Sequence, residues 1–147
     1  MARLSSVELD IFLTSASPDQ RAIVRTLRDI ITSRATELTE RVGASKPLTG
    51  YLLYEGPGGQ LVFAIGLTGA RTVTLQPAAY FGSRDLRDRH QAALGPFQAG
   101  KDGLRFGDPA ELPVAAIAAV ADATPGFLGQ AAAKAPPRRW GRRAAGR

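Results

Sequence analysis

Leu61-Val-Phe-Ala-Ile-Gly-Leu67 is the stretch that most limits what this chain can fold into. Side chains alternate along a strand, so Leu61, Phe63, Ile65 and Leu67 point one way and Val62, Ala64 and Gly66 the other. Apolar on both faces, it has to be an inner strand. Its face of small residues lets a helix or a ligand approach the backbone closely. Tyr51-Leu-Leu-Tyr54 precedes it across a Gly56-Pro-Gly-Gly59 turn, and Arg71-Thr-Val-Thr-Leu-Gln76 follows it across a second tight turn. The three runs read as an antiparallel meander. In the third, Val73 and Leu75 share one face and Thr72, Thr74 and Gln76 the other, which calls for solvent or a polar cavity on that side.

The flanks read as helices. Ser5 and Glu8 have capping-box spacing ahead of a short helix to about Ser15, with Leu4, Val7, Ile11 and Phe12 on its apolar side. Ser17-Pro-Asp-Gln20 opens a second helix, predicted to reach about Arg41 on the spacing of Ile23, Leu27, Ile30, Ile31, Leu38 and Val42 and to close at Gly43. Pro77 to Gly82 reads as a loop. Ser83 caps a charged helix over 84–94, Gly100-Lys-Asp-Gly-Leu-Arg-Phe106 as a turn into a fourth strand, and Asp108-Pro-Ala-Glu111 as the cap of a last helix to about Ala123 that Pro125 and Gly126 stop. The expected fold class is α+β, an antiparallel β-meander plus a fourth strand backed by helices at both ends of the chain.

At 147 residues the chain is long enough for one domain with its own core. It has no Cys, which excludes disulfides, thiolate metal sites and cysteine nucleophiles. No apolar run is long enough for a membrane span and no secretory signal is visible, so a cytoplasmic location is expected. The net charge of +6 is not spread evenly. Residues 1–128 balance 13 Lys/Arg against 13 Asp/Glu, while residues 129–147 hold six basic residues and no acid. The expected organisation is therefore a neutral domain over 1–128 and a basic disordered tail over 129–147.

With this order assembled, the chain resembles the bacterial YdhG-like family, also called the domain of unknown function 1801, over roughly residues 7–122. Val73-Thr-Leu75, the charged helix, and Gly100-Lys-Asp-Gly-Leu-Arg-Phe106 before Asp108-Pro carry the likeness, together with the opening helix pair and the Lys46-Pro47 loop. The family often has an aromatic just before the loop proline; here Ala44, Ser45 and Lys46 stand there. The resemblance implies an α+β fold with a curved antiparallel sheet. One member is described as a frataxin-like intracellular iron chaperone, which makes iron binding an alternative expectation.

Iron held without Cys or His clusters needs clustered carboxylates. Glu37 with Glu40 and Asp85 with Asp88 are the close pairs, both interleaved with arginines, and the plainer reading of each is a solvated helix face. No metal ligands and no cofactor are expected. His90 is the sole histidine, without a catalytic partner in view, and Ser83, Asp85 and His90 lie too close along one helix to form a triad. Gly56–Gly59 lacks the Lys-Ser/Thr and helix of a phosphate loop. No catalytic residue is assigned. Lys46, Lys101 and Arg105, if they converge near Tyr51, Tyr54 or Tyr80, would make a cationic, aromatic-lined pocket for a small anion or a peptide carboxylate. In the tail, Arg138, Arg139, Arg142 and Arg143 surround Trp140, a composition suited to weak, salt-sensitive nucleic-acid binding. The expected function is a non-enzymatic module for a small ligand or protein partner, with an exposed sheet edge open to homodimer formation.

Overall fold

In the computed structural model, which describes residues 3–44 and 50–134, the two-sided apolar run becomes strand β3 (Leu61–Thr68). Strands β2 (Tyr51–Glu55) and β4 (Thr72–Pro77) flank it, each pairing antiparallel. The β2–β3 turn closes on Gly59 at a φ of 82°, a conformation that glycine adopts at little cost. Strand β1 (Thr39–Val42) adds outside β2. Beyond β4 lie β6 (Gly103–Phe106) and then the two-residue β5 (Gln98–Ala99), giving the order β1-β2-β3-β4-β6-β5. The fold is α+β: an antiparallel sheet of six strands with helices at both ends of the chain.

One face of the sheet packs against helices. Leu52, Ile65, Leu75 and Phe106 are buried in one cluster with Ile23, Val24, Leu27 and Ile31 of α2 (Pro18–Arg34) and Ile117 and Val120 of α5 (Val114–Asp122). Gln20, 2 % exposed, pins the start of α2 to the sheet. Its Oε1 accepts from the Ser17 amide, while Nε2 donates to the Thr72 and Gly69 carbonyls at 2.9 and 3.3 Å.

Helix α2 stops at Arg34 rather than about Arg41, and Gly43 does not cap it. Ala35 and Leu38 enter the core ahead of β1, where Thr39 to Val42 gain a full ladder with β2. Four-residue spacing of apolar groups fits that turn and strand as well as it fits a helix, and pairing with β2 decides. Helix α1 (Ser6–Phe12) has its capping box, yet it buries Leu9 and, just past its end, Leu13, leaving Val7 and Ile11 65 % and 68 % exposed. Residues 78–82 form a short helix, α3 (Ala78–Gly82), instead of a loop. Helix α4 (Arg84–Leu94) falls where predicted, and a 3-10 turn (Gly95–Phe97) follows it. Asp108 caps another 3-10 turn (Pro109–Glu111) rather than α5, which starts at Val114. Pro125 and Gly126 do not end the helical path: they lie in the first turn of α6 (Thr124–Lys134), where a proline lacks only an N–H that has no helical partner anyway. Helix α6 crosses the boundary placed between 128 and 129.

Candidate functional site

Where α4 begins, Ser83 Oγ accepts from the Leu86 amide at 3.3 Å and caps the helix. In α3 the rings of Tyr80 and Phe81 meet edge to face, 4.9 Å between centroids. Across from them, Gly100 at a φ of 74° reverses the chain between β5 and β6 and puts Lys101 in the turn. A cleft of about 220 Å³ opens between these parts. Tyr80 and Phe81 line one side, Arg87, Asp88 and Gln91 of α4 another, and Gln98 and Lys101 of the hairpin the third. Burial pushes the Tyr80 hydroxyl above its usual pKa, with Arg87 pulling part of the way back, so the phenol is neutral near pH 7 and can donate. Arg87 and Lys101 enter no ion pair among the described residues.

A second hollow of similar volume lies between α4 and the α5–α6 junction, lined by Ser83, Asp85, Arg89 and Phe127 among others. Its cation is occupied, because Arg89 Nη2 donates to Asp85 Oδ2 at 2.5 Å. The cleft at Tyr80 keeps its cations free.

Among the described residues expected to form an anion pocket, Tyr80 and Lys101 come together in this cleft. Lys46 lies outside the described residues, as do Arg138, Arg139, Trp140, Arg142 and Arg143. Arg105 sits on β6 between Leu104 and Phe106, whose side chains enter the core; alternation sends Arg105 to the opposite face of the sheet. Tyr54 is on β2, with β3 and β4 between it and the β5–β6 hairpin, and it is fully buried. Its OH donates to Glu40 Oε2 at 2.5 Å. Sequence reasoning passed over Arg87 and Gln91, which are four apart on α4 and so share one face of it; that spacing was the available signal.

Glu40 is the other correction. Rather than lying on a solvated helix face one turn from Glu37, it belongs to β1, and its side chain is 0 % exposed. Arg28 Nε and Nη2 donate to its two oxygens at 2.7 and 2.9 Å, and the Leu4 amide adds a bond of 2.8 Å. With Tyr54 these four donors use the acceptor positions of the carboxylate, leaving none for a metal ion. Burial alone would raise the Glu40 pKa; the hydrogen bonds from Arg28, Tyr54 and Leu4 and the Arg28 charge outweigh it, and the net shift is downward. Among the described residues no group of three or more His, Asp or Glu side chains gathers as a metal site. No described helix is long and apolar enough to cross a membrane.

A scan against family models, a search of curated proteins and a search of solved structures each found no match. The chemistry of the cleft itself has to carry the functional reading.

Proposed function

We propose that this chain is a non-enzymatic binding module that holds a small anion, a carboxylate or a phosphate, in the cleft between α3, α4 and the β5–β6 turn. The observation that carries the reading is the meeting of two cations, Arg87 and Lys101, neither in an ion pair among the described residues, with the amides of Gln91 and Gln98 and the neutral phenol of Tyr80, against the single carboxylate of Asp88. An anion accepts from every one of those groups, and charge-assisted hydrogen bonds are the stronger kind. The Tyr80–Phe81 pair supplies an apolar wall for the remainder of the ligand. Resemblance to the YdhG-like family adds Lys101, which lies in that family's Gly-Lys turn.

The test is a thermal-shift and calorimetric titration of the full chain against acetate, citrate, inorganic phosphate and Fe²⁺. An anion at a hundred times its dissociation constant should add about 2.7 kcal/mol of stability. That gain should disappear in Lys101→Met and Arg87→Gln. Anion shifts that survive both substitutions, or no anion shift at all, would remove the proposal. A shift with Fe²⁺ alone, abolished by Asp88→Asn, would favour the metal-handling alternative instead.

A further inference from the structure

The sheet face turned away from α2 and α5 carries a row of residues in lateral register. Tyr51 pairs with Gly66, Gly66 with Thr74, and Thr74 with Arg105, so the four share one face across four adjacent strands. The Tyr51 ring occupies the space that a side chain at residue 66 would need: a Cβ built there falls 2.3, 2.4 and 2.8 Å from three of its ring carbons. Three ring atoms so close to one point mean that the ring lies over the glycine rather than standing beside it. One face of the ring rests on β3. The other meets no aromatic or hydrogen-bonding partner among the described residues, and Tyr51 is half-buried.

On one side of this ring Leu53 and Ala64, on the same face, are buried; toward β6 the face is polar, and Thr74 is 8 % exposed. Thr68 Oγ1 lies 2.9 Å from Thr74 Oγ1 and 3.2 Å from Thr72 Oγ1, and Gly103 beside Thr74 brings no side chain. Arg105 is exposed and enters no ion pair or hydrogen bond among the described residues. From β3, where the ring rests, to β6 is two inter-strand gaps, about 10 Å.

We infer that this face is a docking surface for single-stranded nucleic acid, with one base stacked on Tyr51 and a neighbouring phosphate on Arg105. A ring lying flat on a sheet, with an unpaired cation a short way along the same row, offers the two contacts that a single strand presents at every step, a π-face and a phosphate. Sheet faces that read RNA use aromatic platforms in the same way. Two further observations favour a strand over a free nucleotide. Neither Tyr51 nor Arg105 lines any of the four best-formed hollows among the described residues, so a lone nucleotide finds no walls from those hollows there. The chain also carries a formal charge of +6 with its excess cations in 129–147, which complements a polyanion along its length. This inference does not depend on the cleft beside Tyr80.

The experiment is fluorescence anisotropy of a labelled 12-mer of oligo(dT) and of oligo(rU), titrated with the full chain at two salt concentrations, with UMP as unlabelled competitor. Tyr51→Phe should bind like the wild type and Tyr51→Ala roughly tenfold more weakly, the loss of one stacked base. Arg105→Gln should weaken binding and reduce the magnitude of the salt slope by about one unit. Arg138→Gln, Arg139→Gln, Arg142→Gln and Arg143→Gln combined in the full chain should lower affinity yet preserve the ratio between Tyr51→Phe and Tyr51→Ala. Thermal midpoints are measured beside each variant, and Tyr51→Trp restores the platform if alanine loosens the sheet. Equal binding by Tyr51→Ala and wild type at matched folding overturns the inference. So does binding that is lost wholly with the four arginines, or no binding of either oligonucleotide. Competition by UMP at its own micromolar affinity would move the ligand from strand to nucleotide and overturn the strand assignment.

Discussion

At the scale of single residues, the Glu40 carboxylate concentrates more consequence than any other group. Its oxygens take four hydrogen bonds while the side chain is wholly out of water. Removing one partner of a buried pair strands the other, at a cost of about 3–5 kcal/mol. Glu40→Ala should therefore lose stability on that order in urea unfolding, because Arg28, only 21 % exposed, keeps its charge without a counter-ion. Tyr54→Phe removes one bond to a charged acceptor and should cost about 1.5–3 kcal/mol, with anion binding at the cleft unchanged.

The depressed pKa of Glu40 also fixes a pH dependence. In the unfolded chain a glutamate titrates near 4.3. The folded state holds the proton less tightly, so this stabilisation is complete above that value and is lost as pH falls through the lower, folded pKa. Equilibrium unfolding at pH 6 and pH 3 should show a larger acid loss in wild type than in Glu40→Gln, whose amide does not titrate. Equal losses would mean that the acid sensitivity of the fold arises elsewhere.

At the scale of elements, the docking of helix and strand depends on small groups placed where two segments touch. Gln20 ties the first turn of α2 to the carbonyls of Gly69 and Thr72 at the β3–β4 hairpin. Gln20→Ala leaves those acceptors without their donor in a buried place and should cost about 1–3 kcal/mol, read from the urea midpoint at constant slope. Gly66 is the corresponding point between β2 and β3. Gly66→Ala forces the Tyr51 ring off the sheet and should destabilise by about 1–3 kcal/mol. In a Tyr51→Ala background the same change should cost much less, since the ring that it would strike is gone, and a double-mutant cycle measures that difference.

At the scale of the whole molecule, charge is partitioned along the chain, with a balanced 1–128 and a basic 129–147. Neutralising Arg138, Arg139, Arg142 and Arg143 takes the formal net charge from +6 to +2. Retention on a cation exchanger near neutral pH should fall sharply in that variant, whereas Arg21→Gln, a change within the balanced part, should shift it only slightly. The central strands, the capping boxes at Ser5 and Ser17, helix α4 and the α+β class follow from the sequence alone, because each is set by contacts a few residues apart: alternation, caps and turn glycines. β1 and the short β5 do not, since an edge strand exists only by virtue of the strand that it pairs with. The same division runs through the candidate sites. Residue types suited to an anion, Tyr80 and Lys101, are visible in the sequence, but their meeting with Arg87 and Gln91 is set by how α3 and α4 pack beside the β5–β6 hairpin. Tyr54 and Arg105 look equivalent to them as residue types; strand order buries one against Glu40, and side-chain alternation sends the other to the opposite face. Local periodicity determined which segments form elements. Long-range pairing alone decided which side chains share a space, because a contact across the sheet leaves no periodic trace in the chain.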